Sequence, residues 1–187
     1  MRRLDFRPLK KLRNPGRHLR ALARWPERIV GQLPDAGLLA GETFWNFKIP
    51  VFSKLVEGRY ATDEARRACL AALFAAAEAV ERSERRPAGC RVAVLVTTPQ
   101  LFDSEVTLFL NEDYFAGFRP MIRTERTPYD GGWVEGAPAN PVELAGVLPP
   151  APDGLEFLGG TRLTQMDDQW GEEPVVRTNW VWAFPRR

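Results

Sequence analysis

Histidine is almost missing from this chain: His18 is the only one in 187 residues. That excludes a zinc site built from several histidines, and it leaves a Ser–His–Asp triad only if His18 itself serves. His18 sits in a run of arginines and is expected to be exposed and structural. Cysteine is nearly as scarce. Cys69 falls on a helical segment and Cys90 at the start of an apolar strand. Both read as small buried hydrophobes, and a reducing cytosol suits them. Long apolar runs are lacking too. The longest uncharged stretch of the main helical segment, Ala68 to Ala77, is well short of the ~20 residues that cross a bilayer. No secretory apolar core follows the basic start. The expectation is a cytoplasmic protein with no membrane partner.

Phosphate loops and nucleophile elbows are absent as motifs. Gly131-Gly132 and Gly159-Gly160 have no phosphate-loop spacing and read as turns. Ser53, Ser83 and Ser104 stand in no elbow context. An oxidoreductase or an NTPase is therefore unsupported, no cofactor is called for, and no catalytic or metal-binding residue is assigned. Lysine is rare as well, four of the 26 basic residues, and none lies near the chain's carboxylate clusters in sequence.

What the chain does have is an uneven charge distribution. Residues 1–28 hold ten Lys/Arg against Asp5 and Glu27, whereas the remainder holds sixteen against twenty-two acidic residues. A basic arm, residues 1–14, precedes an acidic body. Electrostatically such an arm is suited to its own body, to nucleic acid or to an anionic membrane. A chain of this length buries roughly 70% of its unfolded surface as one domain, so residues 15–187 need no metal or disulfide staple.

The clearest strand signals lie between Cys90 and Phe118. Arg91 to Thr97 is an apolar Val-rich run, which suggests a central strand buried on both faces. Glu105 to Leu110 alternates, with Val106, Leu108 and Leu110 on one side. The connection is too short for a crossover helix, so the two should pair antiparallel. Thr62 to Arg86 predicts a long helix. Thr62 is its N-cap, Leu70, Leu73, Phe74, Ala77 and Val80 form its apolar stripe, and Pro87 with Gly89 stop it. Further strands are expected at Glu42 to Pro50, Leu155 to Leu158 and Val175 to Phe184. Pro26 should kink a first helical region or begin a new helix. Tyr129 to Pro152, rich in Gly and Pro, predicts a long loop, and Met166 to Glu173 an acidic loop. The sum is an α+β domain: a mainly antiparallel sheet of about five strands with helices packed on one side.

Several stretches together, FWNFKIP, ARRACLAAL, LFDSEVTLFLNEDYFAGF and WVWAF, resemble a family of uncharacterised small bacterial proteins described only as a domain of unknown function. The resemblance covers about residues 15–125 and, more loosely, the last strand. Its most specific part is the Asp-Ser-Glu strand followed by Asp-Tyr-Phe-x-Gly-Phe. It implies a small soluble bacterial α+β protein and brings no catalytic residues with it.

The residues point first to a binding module without catalysis. Asp103, Glu105, Glu112, Asp113, Tyr114, Trp133, Asp167, Asp168 and Trp170 would form an acidic, aromatic surface for a protein partner. Complementary charge speeds association and buried aromatics hold it. An immunity protein that neutralises a cognate bacterial toxin is one protein of this kind. Two other readings stand beside it. Arg2, Arg3, Arg7, Lys10, Lys11 and Arg13 would neutralise several phosphates of a nucleic acid. Asp103 and Glu105, two apart on a strand, would serve a metal-dependent hydrolase.

Overall fold

The computed structural model describes residues 15–39, 41–51, 55–56, 61–98, 101–112, 126–129, 132–167 and 175–186. Two short helices come first, α1 (Pro15–Ala23) and α2 (Trp25–Gly31), followed by β1 (Phe44–Lys48) and the long α3 (Asp63–Arg82). Then come β2 (Arg91–Thr98), β3 (Glu105–Phe109), β4 (Arg126–Tyr129), β5 (Gly132–Pro138), β6 (Glu156–Asp167) and β7 (Val175–Ala183). These seven strands form one sheet in the order β1-β3-β2-β7-β6-β5-β4, and every neighbouring pair is antiparallel. The α+β expectation holds, with more strands than the five expected.

Pro26 starts a new helix: α2 begins at Trp25, with the proline in its first turn. There its missing N–H has no intrahelical acceptor to lose. The Thr62 side chain accepts from the N–H of Ala65 at 3.1 Å and caps α3, as its position implies. The buried arc of α3 is wider than one stripe. Cys69, Ala72 and Ala76 join Leu70, Leu73, Phe74, Ala77 and Val80, because α3 touches β2 and β3 and also α1 and α2. Alanines along this arc let the neighbouring elements approach closely.

Val92, Val94 and Val96 on β2, Val106 and Leu108 on β3, and Trp180 and Trp182 on β7 share the helix-facing side of the sheet and enter one core with α3. Trp182 meets Phe74 edge-on, ring centres 5.4 Å apart. The other side carries a small cluster of Ala93, Phe109 and Ala183, and a buried hydrogen bond from Thr97 Oγ1 to Asn179 Oδ1 at 2.9 Å.

The expected loop at 129–152 is corrected. It contains β5 and a 3-10 turn, Pro141–Leu144, capped by the Asn140 side chain. β4 and β5 are joined by only two residues, Asp130 and Gly131. Asp-Gly between strands is a strong hairpin signal. Pro128 is tolerated because β4 is the outermost strand, where a ladder N–H can be spared. The acidic loop at 166–173 is corrected in part, since Met166 and Asp167 belong to β6 and pair with β5. Gly159-Gly160 is no turn either. β6 runs through it with an irregularity between Phe157 and Gly159, so one extra residue shifts the register without ending the strand. His18 on α1 is half-buried rather than exposed.

Candidate functional site

Two places on the fold gather polar side chains. The first is the β1 edge. β1 is the edge strand opposite β4, and among the described residues it pairs only with β3. The N–H of Leu110 donates to Thr43 O at 3.0 Å, and that of Ile49 to Ser104 O at 3.0 Å. This fixes the phase of the ladder: the amides of Trp45 and Phe47 face β3, and those of Asn46 and Lys48 face outward. Phe44 is 36% and Trp45 37% exposed, on opposite faces of this edge.

The same register sets Lys48 opposite Glu105 and Asn46 opposite Thr107. Asn46 Nδ2 donates to Glu105 Oε2 at 3.0 Å, and Thr107 Oγ1 donates to Glu105 Oε1 at 3.1 Å. Lys48 Nζ lies 3.9 Å from Asp103 Oδ1. Asp103 is in a 3-10 turn, Leu101–Asp103, and not on the strand. It still reaches β1, because the turn leads directly into β3. Both groups of the Lys48–Asp103 pair keep solvent access, so the pair contributes about 1 kcal/mol or less and leaves the carboxylate available. Buried Ser104 ties the corner: its hydroxyl accepts from the N–H of Thr97 at 3.0 Å. Sequence reading placed no lysine beside these carboxylates. Lys48 arrives through strand pairing, a contact that only the register reveals.

The other expected partner-binding positions are spread along the molecule. Glu112, just beyond β3, pairs with Arg186 at 3.7 Å. Trp133 on β5 and Asp167 on β6 lie toward the opposite end of the sheet, beyond β2 and β7. Asp113, Tyr114, Asp168 and Trp170 lie outside the described residues, as do Arg2, Arg3, Arg7, Lys10, Lys11 and Arg13. Among the described residues, no group of three or more His, Cys, Asp or Glu is placed to hold a metal ion, and no helix is long and apolar enough to cross a membrane.

The second place is a cleft of about 820 Å³ on the helix side of the sheet, and sequence reading missed it. Its floor comes from β7, where the two-residue period points Val176, Thr178 and Trp180 into it, with Thr98 of β2 opposite Thr178. Exposure falls from Val176 (45%) to Trp180 (2%), so Trp180 marks the deep end. Val56, Leu101, Leu144 and Val147 give apolar walls. Arg66, with Asp63 at 3.5 Å, and Arg162, with Glu143 at 2.8 Å, complete the lining.

A family model matches residues 23–134, more than half of the chain. The chain belongs to the family described as Protein of unknown function (DUF3916). The match runs beyond Tyr129, past the point where the resemblance read from sequence fades. Within this DUF3916 member the β1-edge cluster falls wholly inside the matched segment, whereas the β6 and β7 parts of the cleft lie after it. No curated protein and no solved structure matches the chain.

Proposed function

We infer that the protein is a non-catalytic binding module that holds a protein partner along the β1 edge. One observation supports this above the others. The outward amides of Asn46 and Lys48, the exposed rings of Phe44 and Trp45, and the carboxylates of Asp103 and Glu105 all meet at one strand edge. An extended partner segment added there gains main-chain hydrogen bonds, while the flanking rings and charges supply selectivity. Lys48 on the edge discourages pairing of the chain with itself, and the carboxylates favour a basic partner. Capture of a cognate bacterial toxin by an immunity protein is the specific form that this reading takes. The test is to co-express the chain with the product of the neighbouring gene. The wild-type chain is expected to protect the cell and to co-purify with that product. Asp103→Lys with Glu105→Lys should lose both effects. Equal protection by the variant would overturn the reading.

A metal-dependent hydrolase is the second reading. It draws support from Lys48 lying beside Asp103, since such sites commonly combine carboxylates with a lysine. A manganese titration separates the two: an ion bound between Asp103 and Glu105 favours hydrolysis, and no binding at millimolar metal counts against it.

A further inference from the structure

The helix-facing side of a sheet is ordinarily apolar, because it faces the core. One row across this sheet breaks that rule. Thr98 of β2 stands opposite Thr178 of β7, and Thr178 stands opposite Arg162 of β6. All three line the cleft. Thr178 is 6% exposed, and its hydroxyl makes no hydrogen bond to another described residue. Unlike the Thr161 hydroxyl it is not sealed from solvent, so it opens on the cleft. Polar side chains this deeply placed are ordinarily hydrogen-bonded. An unused hydroxyl on the cleft floor, one strand from a guanidinium, marks a place for a ligand oxygen.

The charges beside that hydroxyl narrow the choice of ligand. Arg162 Nη2 donates to Glu143 Oε2 at 2.8 Å, and both side chains keep solvent access. The pair leaves most of the guanidinium fork and the second carboxylate oxygen free. This wall therefore presents a cation and an anion side by side. A simple anion placed there meets Glu143, and a simple cation meets Arg162. A ligand that carries both charges on neighbouring atoms complements the two at once, and the head of an α-amino acid is such a group. The Arg66 wall is less available, since its Nε already donates to Val56 O at 3.4 Å and its Nη1 to Asp63. Beyond the charged pair the walls are aliphatic, with Leu101, Leu144 and Val147 among them. The volume of about 820 Å³ falls within the ~300–1,000 Å³ of small-molecule sites and leaves room for a large apolar side chain.

We propose that the cleft binds a free α-amino acid with an apolar side chain. Its carboxylate lies on Arg162 and the Thr178 hydroxyl, its ammonium on Glu143, and its side chain against the aliphatic walls. This does not rest on the β1-edge reading, and the experiment leaves that edge intact. The full chain is titrated calorimetrically with L-phenylalanine and with L-leucine. At least one is expected to bind saturably in the millimolar range or below. Three analogues of the better ligand divide the contributions: one without the ammonium, one without the carboxylate, and glycine, which lacks the apolar body. Each should bind about tenfold more weakly or worse. Arg162→Gln and Glu143→Gln, both at solvent-accessible positions, should weaken the intact amino acid by a similar factor. Thr178→Val keeps the shape of the side chain and should also weaken it, while its urea midpoint shows that the fold is kept. Absence of saturable binding by both amino acids would overturn the proposal. So would equal affinity for the analogue without the ammonium, or an affinity unchanged in Glu143→Gln.

Discussion

Replacing Gly160 with alanine tests whether the sheet is built to seat the Trp180 indole. Gly160 faces Trp180 across the β6–β7 ladder. A Cβ on Gly160 would lie 2.6 Å from Trp180 Cδ1, 2.7 Å from Ala139 O and 3.1 Å from Asn179 O. Two of these atoms are backbone and cannot move aside alone. Ala139 is held by its own N–H, which donates to Gly160 O at 2.9 Å, and Asn179 is fixed by its ladder pairing with Thr161. The third belongs to a rigid ring with 2% exposure. Overpacking of this kind costs about 1–3 kcal/mol, and two contacts below 3 Å place Gly160→Ala at the upper end. With a urea slope of about 2 kcal/mol/M, the midpoint should fall by roughly 1.5 M at unchanged slope. Gly31→Ala is the control. Nothing stands within 4 Å of a Cβ there, and alanine at the end of α2 should be neutral or stabilise by up to about 1 kcal/mol. If the Gly160→Ala midpoint moved by less than about 0.2 M, the close seating of the indole on β6 would be refuted.

Three further outcomes are expected. Burial pushes the Cys69 thiol up from 9.0 to about 12. A folded-state value above the unfolded one gives stability that is complete below pH 9 and is lost as pH rises toward 12, roughly 4 kcal/mol in all. Urea titrations at pH 8 and pH 11 should therefore diverge less in Cys69→Ala than in the wild type, and an equal divergence would contradict the assignment. The Glu81–Arg86 pair, with side chains 3% and 8% exposed, ties the end of α3 to the turn before β2. Glu81→Ala should cost about 3–5 kcal/mol by leaving a buried guanidinium uncompensated, while Glu81→Met with Arg86→Met should recover most of it, both read by urea unfolding. Deletion of residues 1–14 should abolish any salt-sensitive mobility shift with DNA, and a shift that survives the deletion would remove the arm from consideration.

Much of the architecture was legible because short-range physics decided it. The unbroken apolar run of β2, the alternation in β3 and β7, and the Thr62 cap with its apolar arc each announce their element locally. The β5–β6 pairing was not legible, because glycine and proline carry little alternation and seventeen residues separate the two strands. Gly159-Gly160 imitates a turn when its second glycine in fact makes room for a ring on the next strand. Asn46 meets Glu105 across 59 residues, and nothing local in either segment fixes that register. The cleft is harder still to read in advance. It draws on the start of α3, the ends of β2 and β7, the middle of β6 and a 3-10 turn, so no single stretch carries its pattern.

Amide hydrogen exchange along β1, in the free chain and with the bound partner, bears most directly on the binding-module account. In the free chain the amides of Trp45 and Phe47 should exchange slowly, and those of Asn46 and Lys48 should exchange orders of magnitude faster. On binding, Asn46 and Lys48 should become protected while Trp45 and Phe47 change little. Slow exchange at Asn46 and Lys48 before any partner is added, or protection by the partner that bypasses β1, would contradict the account.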